Sequence, residues 1–312
     1  MAATPKWKYS PMKPRLGLVG LGNIGEPICR CLLKNAYKVS IYDADPEATS
    51  RLCGTSAEPA QSLEALASSA EVVLLSLPGS DVVEEVVLAE GGLADGLSSG
   101  DVLIDTSSSR PSSTRDLAEK LAVAGVDMLD APVSGGVLRA EEGKLAVMVG
   151  GRGEVFERCR GVLESFGEKI FHVGDHGAGH LVKSLNNLLS ATTLASAAEA
   201  FILAEKAGIA PEALLEVLNA GNGRSYSTEV KFPRFVLDRS FDDGFALGLM
   251  VKDLKIALET AAEVGHPMFS GSAISQLWQA AVAQGYGSEG HTSIYAFLEN
   301  FAGEDSKQGT GG

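Results

Sequence analysis

Between Arg15 and about residue 173, short apolar runs alternate with stretches of helical spacing, and from Gly177 onward helical spacing alone continues. The runs at 16–20, 38–42, 72–77, 102–105, 126–129, 145–149 and 168–173 are short, apolar and bounded by Gly, Pro or polar clusters, which predicts buried strands. Helices are predicted at 24–34, 63–68, from Ser80 or Asp81, and at 154–166. A sheet in which strand and helix alternate is parallel and covered on both faces. Past Gly177 a long helix has Leu181, Leu185, Leu188 and Leu189 on one side, then Ala191, Ala195, Ala197, Ala198 and Ala200, small enough for close packing. Further helices follow at 211–218, after Arg224, at 246–264, at 268–284 and before Phe301, with no strand period among them. Residues 1–14, with three prolines, and 303–312, rich in glycine and charge, read as a flexible and a disordered tail.

Where the first strand ends, the chain reads Gly20-Leu-Gly22-Asn23-Ile24-Gly25 and enters a helix. In a Gly-x-Gly-x-x-Gly turn the first glycine permits the tight bend, the second lets a pyrophosphate approach the backbone, and the third lets helix and strand pack closely. The second strand ends in Asp43, eighteen residues after Gly25, where such a unit places an acid for ribose hydroxyls. Strand, glycines, helix, strand and acid together predict a dinucleotide site. A carboxylate there repels a 2′-phosphate and Arg51 is the nearest arginine, so NAD is favoured and NADP is the alternative. The expected fold is α/β: an N-terminal Rossmann-type doubly wound sheet over 15–176, a long interdomain helix, and an all-α C-terminal domain over 177–302 for substrate and oligomerisation.

The 312 residues suffice for two domains, and the net charge of −14 disfavours nucleic acid and anionic membrane as partners. No run of ~18 apolar residues and no signal-peptide core occurs, so a cytoplasmic protein is expected. The four cysteines are scattered and read as reduced thiols. His172, His176 and His180 are spaced by four, but Gly174, Gly177 and Gly179 interrupt any helix that would align them, so no metal site is expected. A Gly-x-Ser-x-Gly nucleophile elbow is also absent.

Two further stretches carry chemistry. Lys183 and Asn187 are four apart, hence roughly 40° from each other around a helix, and together they suit a substrate hydroxyl, the lysine exchanging its proton and the asparagine orienting it. Asp130-Ala-Pro-Val-Ser134-Gly135-Gly136 offers a hydroxyl and two glycines that can turn backbone amides toward a carboxylate, unless it is a plain glycine turn.

With the glycine turn, the segment 130–136 continuing to Gly143 and 148–151, the run Gly177-Ala-Gly-x-x-x-Lys183-x-x-x-Asn187, and Met250-Val-Lys-Asp-Leu254, the chain resembles the β-hydroxyacid dehydrogenase family. Within it, the resemblance is to the 3-hydroxyisobutyrate dehydrogenases, from Arg15 to about Phe301. The resemblance implies that Lys183 is the catalytic group and Asn187 orients substrate. It implies that Ser134, Gly135 and Gly136 hold a carboxylate, that Lys252 reaches cofactor or substrate, and that Leu77, Pro78 and Ser108 lie along the cofactor. Asp253 is expected to steady its helix. The implied activity is NAD-dependent oxidation of a small 3-hydroxy acid to its semialdehyde. Relatives acting on 2-(hydroxymethyl)glutarate or tartronate semialdehyde share the same segments, so Arg224 is a candidate for a second carboxylate. A non-catalytic NAD-binding module is the reading from a different class. A homodimer or homotetramer is expected, as in the family.

Overall fold

The structure, a computed structural model, describes residues 13–303. Apart from Lys13, Pro14 and Gly303, the tails expected at 1–14 and 303–312 therefore lie outside the described residues. The chain forms two compact units, with the division after Lys183.

Among the described residues the first unit is built on nine strands: β1 (Leu16–Val19), β2 (Val39–Tyr42), β3 (Glu58–Pro59), β4 (Val72–Leu75), β5 (Val102–Asp105), β6 (Asp127–Asp130), β7 (Val133–Ser134), β8 (Leu145–Gly150) and β9 (Gly167–Gly174). Their order is β3-β2-β1-β4-β5-β6, all parallel, which is a doubly wound sheet. β8 then runs antiparallel to β6 and β7 in one continuous register, with Asp130 opposite Gly150 and Ser134 opposite Ala146. β9 pairs parallel with β8.

Alternate residues of the central strands face opposite layers. Val72, Leu74, Val102 and Ile104 pack with Ile28 and Leu32, whereas Val73, Leu75 and Leu103 pack with Leu66, Val87, Leu117 and Leu121. This explains why β4 and β5 read as unbroken apolar runs: both faces are covered. The second layer includes the helix Pro111–Val123. The polar segment 106–114 turns helical at Pro111, a residue suited to the first helical position because its missing N–H has no partner there anyway.

The chain direction across the sheet reverses between β1 and β4. In such sheets a dinucleotide binds beyond the strand ends at this switch point. The turn at Gly20 and the segment after Leu75 both lie there.

The helix Ala178–Lys206 begins in the first unit and continues as the spine of the second. There Leu188, Ala191, Leu194, Ala198, Phe201 and Ile202 pack with Phe232, Met250, Leu254, Trp278 and Tyr295, residues contributed by the π-helix Ser227–Val236 and the helices Leu247–Glu263, Phe269–Ala283 and Ile294–Phe301. Lys183, Ser184 and Asn187 lie on the same buried stripe, while Leu185 and Leu189 are 39% and 66% exposed. The leucines expected to share one inner face are thus split: Leu188 points inward, and its neighbours yield the buried positions to polar side chains. By length and composition this helix is apolar enough to cross a membrane, with a mean hydropathy of 1.3 over its best window. Its buried stripe is instead occupied by the core of the helical unit.

Candidate active site

Gly20 has φ +91°, and a Cβ built on it would stand 2.2 Å from the Ser76 carbonyl oxygen, so the β1 turn crosses the end of β4 with room for glycine alone. A Cβ on Gly25, the first residue of the helix Gly25–Lys34, would stand 1.9 Å from the Gly20 carbonyl oxygen. At Gly22, between them, a Cβ would meet nothing within 4 Å. Two glycines close the turn and the middle one leaves open space over a helix N-terminus, which is what a pyrophosphate requires. Asn23 is exposed and Ile24 half-buried in the same turn.

Asp43 follows β2 and braces this loop, because its carboxylate accepts from the Leu21 N–H at 2.6 Å and from the Asp45 N–H at 2.8 Å. Each oxygen retains acceptor capacity for ribose hydroxyls. An open pocket of about 330 Å³ adjoins it, lined by Tyr42, Asp43, Pro46, Thr49, Ser50, Cys53 and Ala60. Arg51 is engaged by Glu26, at 2.7 Å, and by the Leu21 carbonyl at 2.8 Å. Hydrogen bonds from Arg51 and then Arg30 hold the Glu26 carboxyl below the usual carboxylate range. The residues present fit a nicotinamide dinucleotide.

The segment after β4 is pinned to the one after β5. Leu77 N–H donates to the Ser107 hydroxyl at 2.9 Å, and Arg110 N–H to the Ser80 hydroxyl at 2.7 Å. Leu77 and Ser108 are half-buried and Pro78 is exposed. On the far side of the sheet, Ser134 ends β7, half-buried, and Gly135 and Gly136 follow at φ +141° and +73°. A side chain at either glycine would be strained.

Asp130 was read from the sequence only as part of a motif. It is fully buried at the end of β6, and its carboxylate accepts from the N–H groups of Gly177, at 2.8 Å, and His180, at 3.0 Å. A negative charge thus caps the N-terminus of the long helix and fixes it to the edge where the parallel strands end. Gly150 and Gly179 are packed so closely around Asp130 that a Cβ on either would stand 2.5 or 2.8 Å from its carboxylate. His180, also buried, hydrogen-bonds Thr114 through Nδ1 at 2.7 Å and has Asp105 3.6 Å from Nε2. The other two histidines part from it: His172 reaches the Gly151 carbonyl and His176 the Met128 carbonyl. Among the described residues no group of ligating side chains is placed to hold a metal.

Lys183 follows this anchored turn and is 9% exposed, unusual for a lysine on a largely apolar helix. One turn on, in the helical unit, Asn187 is 6% exposed and donates from Nδ2 to Asp253 Oδ2 at 2.5 Å. Asp253, 1% exposed, is therefore more than a brace for its own helix: it sets the Asn187 carboxamide. Lys252 stands beside it, half-buried, with Nζ 3.4 Å from Asp253 Oδ1. Arg224 is exposed and lies 3.6 Å from Glu229. The thiols of Cys29 and Cys159 are pushed up to about 12 by burial, so neither supplies a nucleophile.

Residues 15–174 match a family described as the NAD binding domain of 6-phosphogluconate dehydrogenase, and residues 177–298 one described as NAD-binding of NADP-dependent 3-hydroxyisobutyrate dehydrogenase. The chain is 37% identical to a 2-(hydroxymethyl)glutarate dehydrogenase of Eubacterium barkeri, over 93% of this chain and 96% of that one. It is 38% identical to a 3-hydroxyisobutyrate dehydrogenase of Pseudomonas aeruginosa, over 80% and 86%. A solved 3-hydroxyisobutyrate dehydrogenase of Mycobacterium tuberculosis with L-serine superposes with a TM-score of 0.84 at 30% identity, covering 92% of this chain and 99% of that one.

Proposed function

The chain belongs to the β-hydroxyacid dehydrogenase family of NAD(P)-dependent oxidoreductases, and from that premise we propose that it interconverts a small 3-hydroxy acid and its semialdehyde, with NAD preferred. The observation that carries this reading is a buried lysine, Lys183, on the helix whose first turn Asp130 fastens to the carboxyl edge of the sheet.

Gly20, Gly22, Asn23, Ile24 and Gly25 would hold the pyrophosphate, Asp43 the ribose, and Leu77, Pro78 and Ser108 the remaining length of the cofactor. When bound, the nicotinamide accepts or returns the hydride. Lys183 takes the hydroxyl proton in the oxidative direction, gives it back in the other, and as a cation stabilises negative charge developing on that oxygen. Asn187, set by Asp253, orients the hydroxyl. Ser134 and the amides of Gly135 and Gly136 hold the carboxylate, and Lys252 is assigned to cofactor or substrate. A reading as a non-catalytic NAD-binding module would leave the buried lysine without a task.

The cofactor assignment is tested by turnover with NAD against NADP. The expected kcat/KM ratio favours NAD by at least about tenfold, because the Asp43 carboxylate opposes a 2′-phosphate. Asp43→Ser is expected to narrow that ratio, chiefly through a lower KM for NADP. Equal use of both cofactors by the unaltered protein would remove Asp43 from this role.

The apolar side chains exposed on the long helix, Leu189 and Leu203 at 66% and 69%, favour a homodimer or homotetramer. The net charge of −14 supports a membrane-independent enzyme.

A further inference from the structure

The first unit contains a buried imidazole that the roles above leave unused. His180 is 1% exposed and stands three residues before Lys183 on the long helix, so their side chains are neighbours, with Cβ atoms roughly 5–6 Å apart. Its ring lies between two other elements of the same unit. Nδ1 is 2.7 Å from the Thr114 hydroxyl, on the helix Pro111–Val123, and Nε2 is 3.6 Å from Asp105 Oδ2, at the end of β5. Nε2 has no hydrogen-bond partner among the described residues. The nearby carboxylate favours a proton on Nε2, which leaves Nδ1 to accept from Thr114. Of the two acceptors open to that hydroxyl, Nδ1 is nearer than the Arg110 carbonyl at 3.1 Å.

Asp105 is fully buried and organises the chain around it. Its Oδ1 accepts from the Ser107 N–H and its Oδ2 from the Ser109 hydroxyl, both at 2.9 Å. The Ser107 hydroxyl accepts in turn from the Leu77 N–H. One carboxylate thus underlies both the segment assigned to the cofactor and the ring that precedes Lys183.

The grip on the ring adds what the main-chain hold lacks. Asp130 holds the N–H groups of Gly177 and His180, and so fastens the helix by its backbone, close to its axis. Such a hold limits sliding more than roll. A side chain gripped by a neighbouring helix, away from the axis, limits roll. With side-chain tips roughly 5–6 Å from the axis, a roll of about 10° moves a tip by about 1 Å. A misplacement of about 1 Å can cost about 10²-fold in rate.

We propose that His180 is a positioning residue. Its ring, gripped by Thr114 and set beside Asp105, fixes the roll of the first helical turn and with it the direction from which Lys183 meets the substrate hydroxyl. The proposal rests on the Lys183 reading above and deepens it. No proton passes through the ring: His180 acts on the reaction through the lysine.

The test is kcat of the full chain with saturating NAD and 3-hydroxyisobutyrate or 2-(hydroxymethyl)glutarate, whichever the unaltered protein turns over faster, expressed per NADH-binding site. That normalisation removes unfolded molecules from the comparison. His180→Ala is expected to lower kcat about tenfold or more, while its dissociation constant for NADH stays within about twofold. His180→Asn, whose carboxamide accepts from Thr114 but exchanges no proton, should recover most of the loss. An unchanged kcat in soluble His180→Ala overturns the proposal. So does a His180→Asn as slow as His180→Ala, which would make the ring itself a proton carrier. Should His180→Ala not fold, Thr114→Val is expected to lower kcat about threefold or more, because it removes the hydroxyl that grips the ring, and no change there overturns the proposal equally. Lys183→Ala, measured alongside, separates this proposal from the reading beneath it. Full activity there, or turnover of neither acid by the unaltered protein, would remove the Lys183 reading and this one with it.

Discussion

Lys183→Ala is expected to reduce turnover by about 10²-fold or more while NAD binding is retained. The glycine turn and Asp43 are remote in sequence from Lys183, and Asp43 braces the turn through the N–H groups of Leu21 and Asp45, so cofactor affinity is expected to persist. What is lost is the group that exchanges the substrate's hydroxyl proton. The structure supplies the reason that another group does not replace it: the first turn of the helix is held by the buried Asp130 carboxylate, and His180, on that turn, is engaged with Thr114. The lysine stands on a fixed support, and its neighbours on that support have other partners. Pre-steady-state turnover together with quenching of protein fluorescence by NADH separates the two effects. Full activity in Lys183→Ala would dismiss the assignment, and parallel loss of NADH binding would point to a structural role.

Gly25→Ala is expected to act on the opposite term. A Cβ there would stand 1.9 Å from the Gly20 carbonyl oxygen, backbone against side chain, so the turn has to open. Overpacking of this kind costs about 1–3 kcal/mol. Spent on the turn that faces the pyrophosphate, that is roughly 5- to 150-fold in the dissociation constant for NAD. At saturating NAD the rate should recover substantially, because Lys183 and its support are untouched. Gly22→Ala provides the contrast: its Cβ meets nothing in the free chain, so the fold should tolerate it while the approach of the pyrophosphate suffers. Calorimetric titration with NAD measures both. Unchanged affinity in Gly25→Ala would mean that the turn does not hold the cofactor.

These two residues were legible in the sequence for different reasons. Gly25 belongs to a local pattern in which strand, turn and helix constrain one another over a few residues, so the sequence carries nearly the whole argument. Lys183 was legible only through its company, since a lone lysine on a helix ordinarily faces solvent. The alternating strands of the sheet were equally plain, because both of its faces are apolar. The helix Pro111–Val123 is not among those predicted, because Ser107, Ser108, Ser109, Ser112 and Ser113 mask its start and its apolar face shows only in the packing of Leu117 and Leu121. Periodicity placed four leucines together at the start of the long helix but gave no means of choosing which side would be covered, and Leu185 and Leu189 are exposed. Asp130 and Asp253 act through partners 47 and 66 residues away, distances over which no periodicity speaks. Asp130 and Asp253 did stand inside segments already singled out.

The central claim is that this chain moves a hydride from the carbinol carbon of a 3-hydroxy acid while Lys183 handles the hydroxyl proton. The most direct measurement uses a 3-hydroxy acid carrying two deuterons on that carbon, incubated with NAD and the purified full chain, with the products read by mass spectrometry. One deuteron is expected on the reduced nicotinamide and one retained in the semialdehyde, formed at equal amounts, with the yield collapsing in Lys183→Ala. Reduced nicotinamide without deuterium, or label transfer undiminished by that substitution, would contradict it.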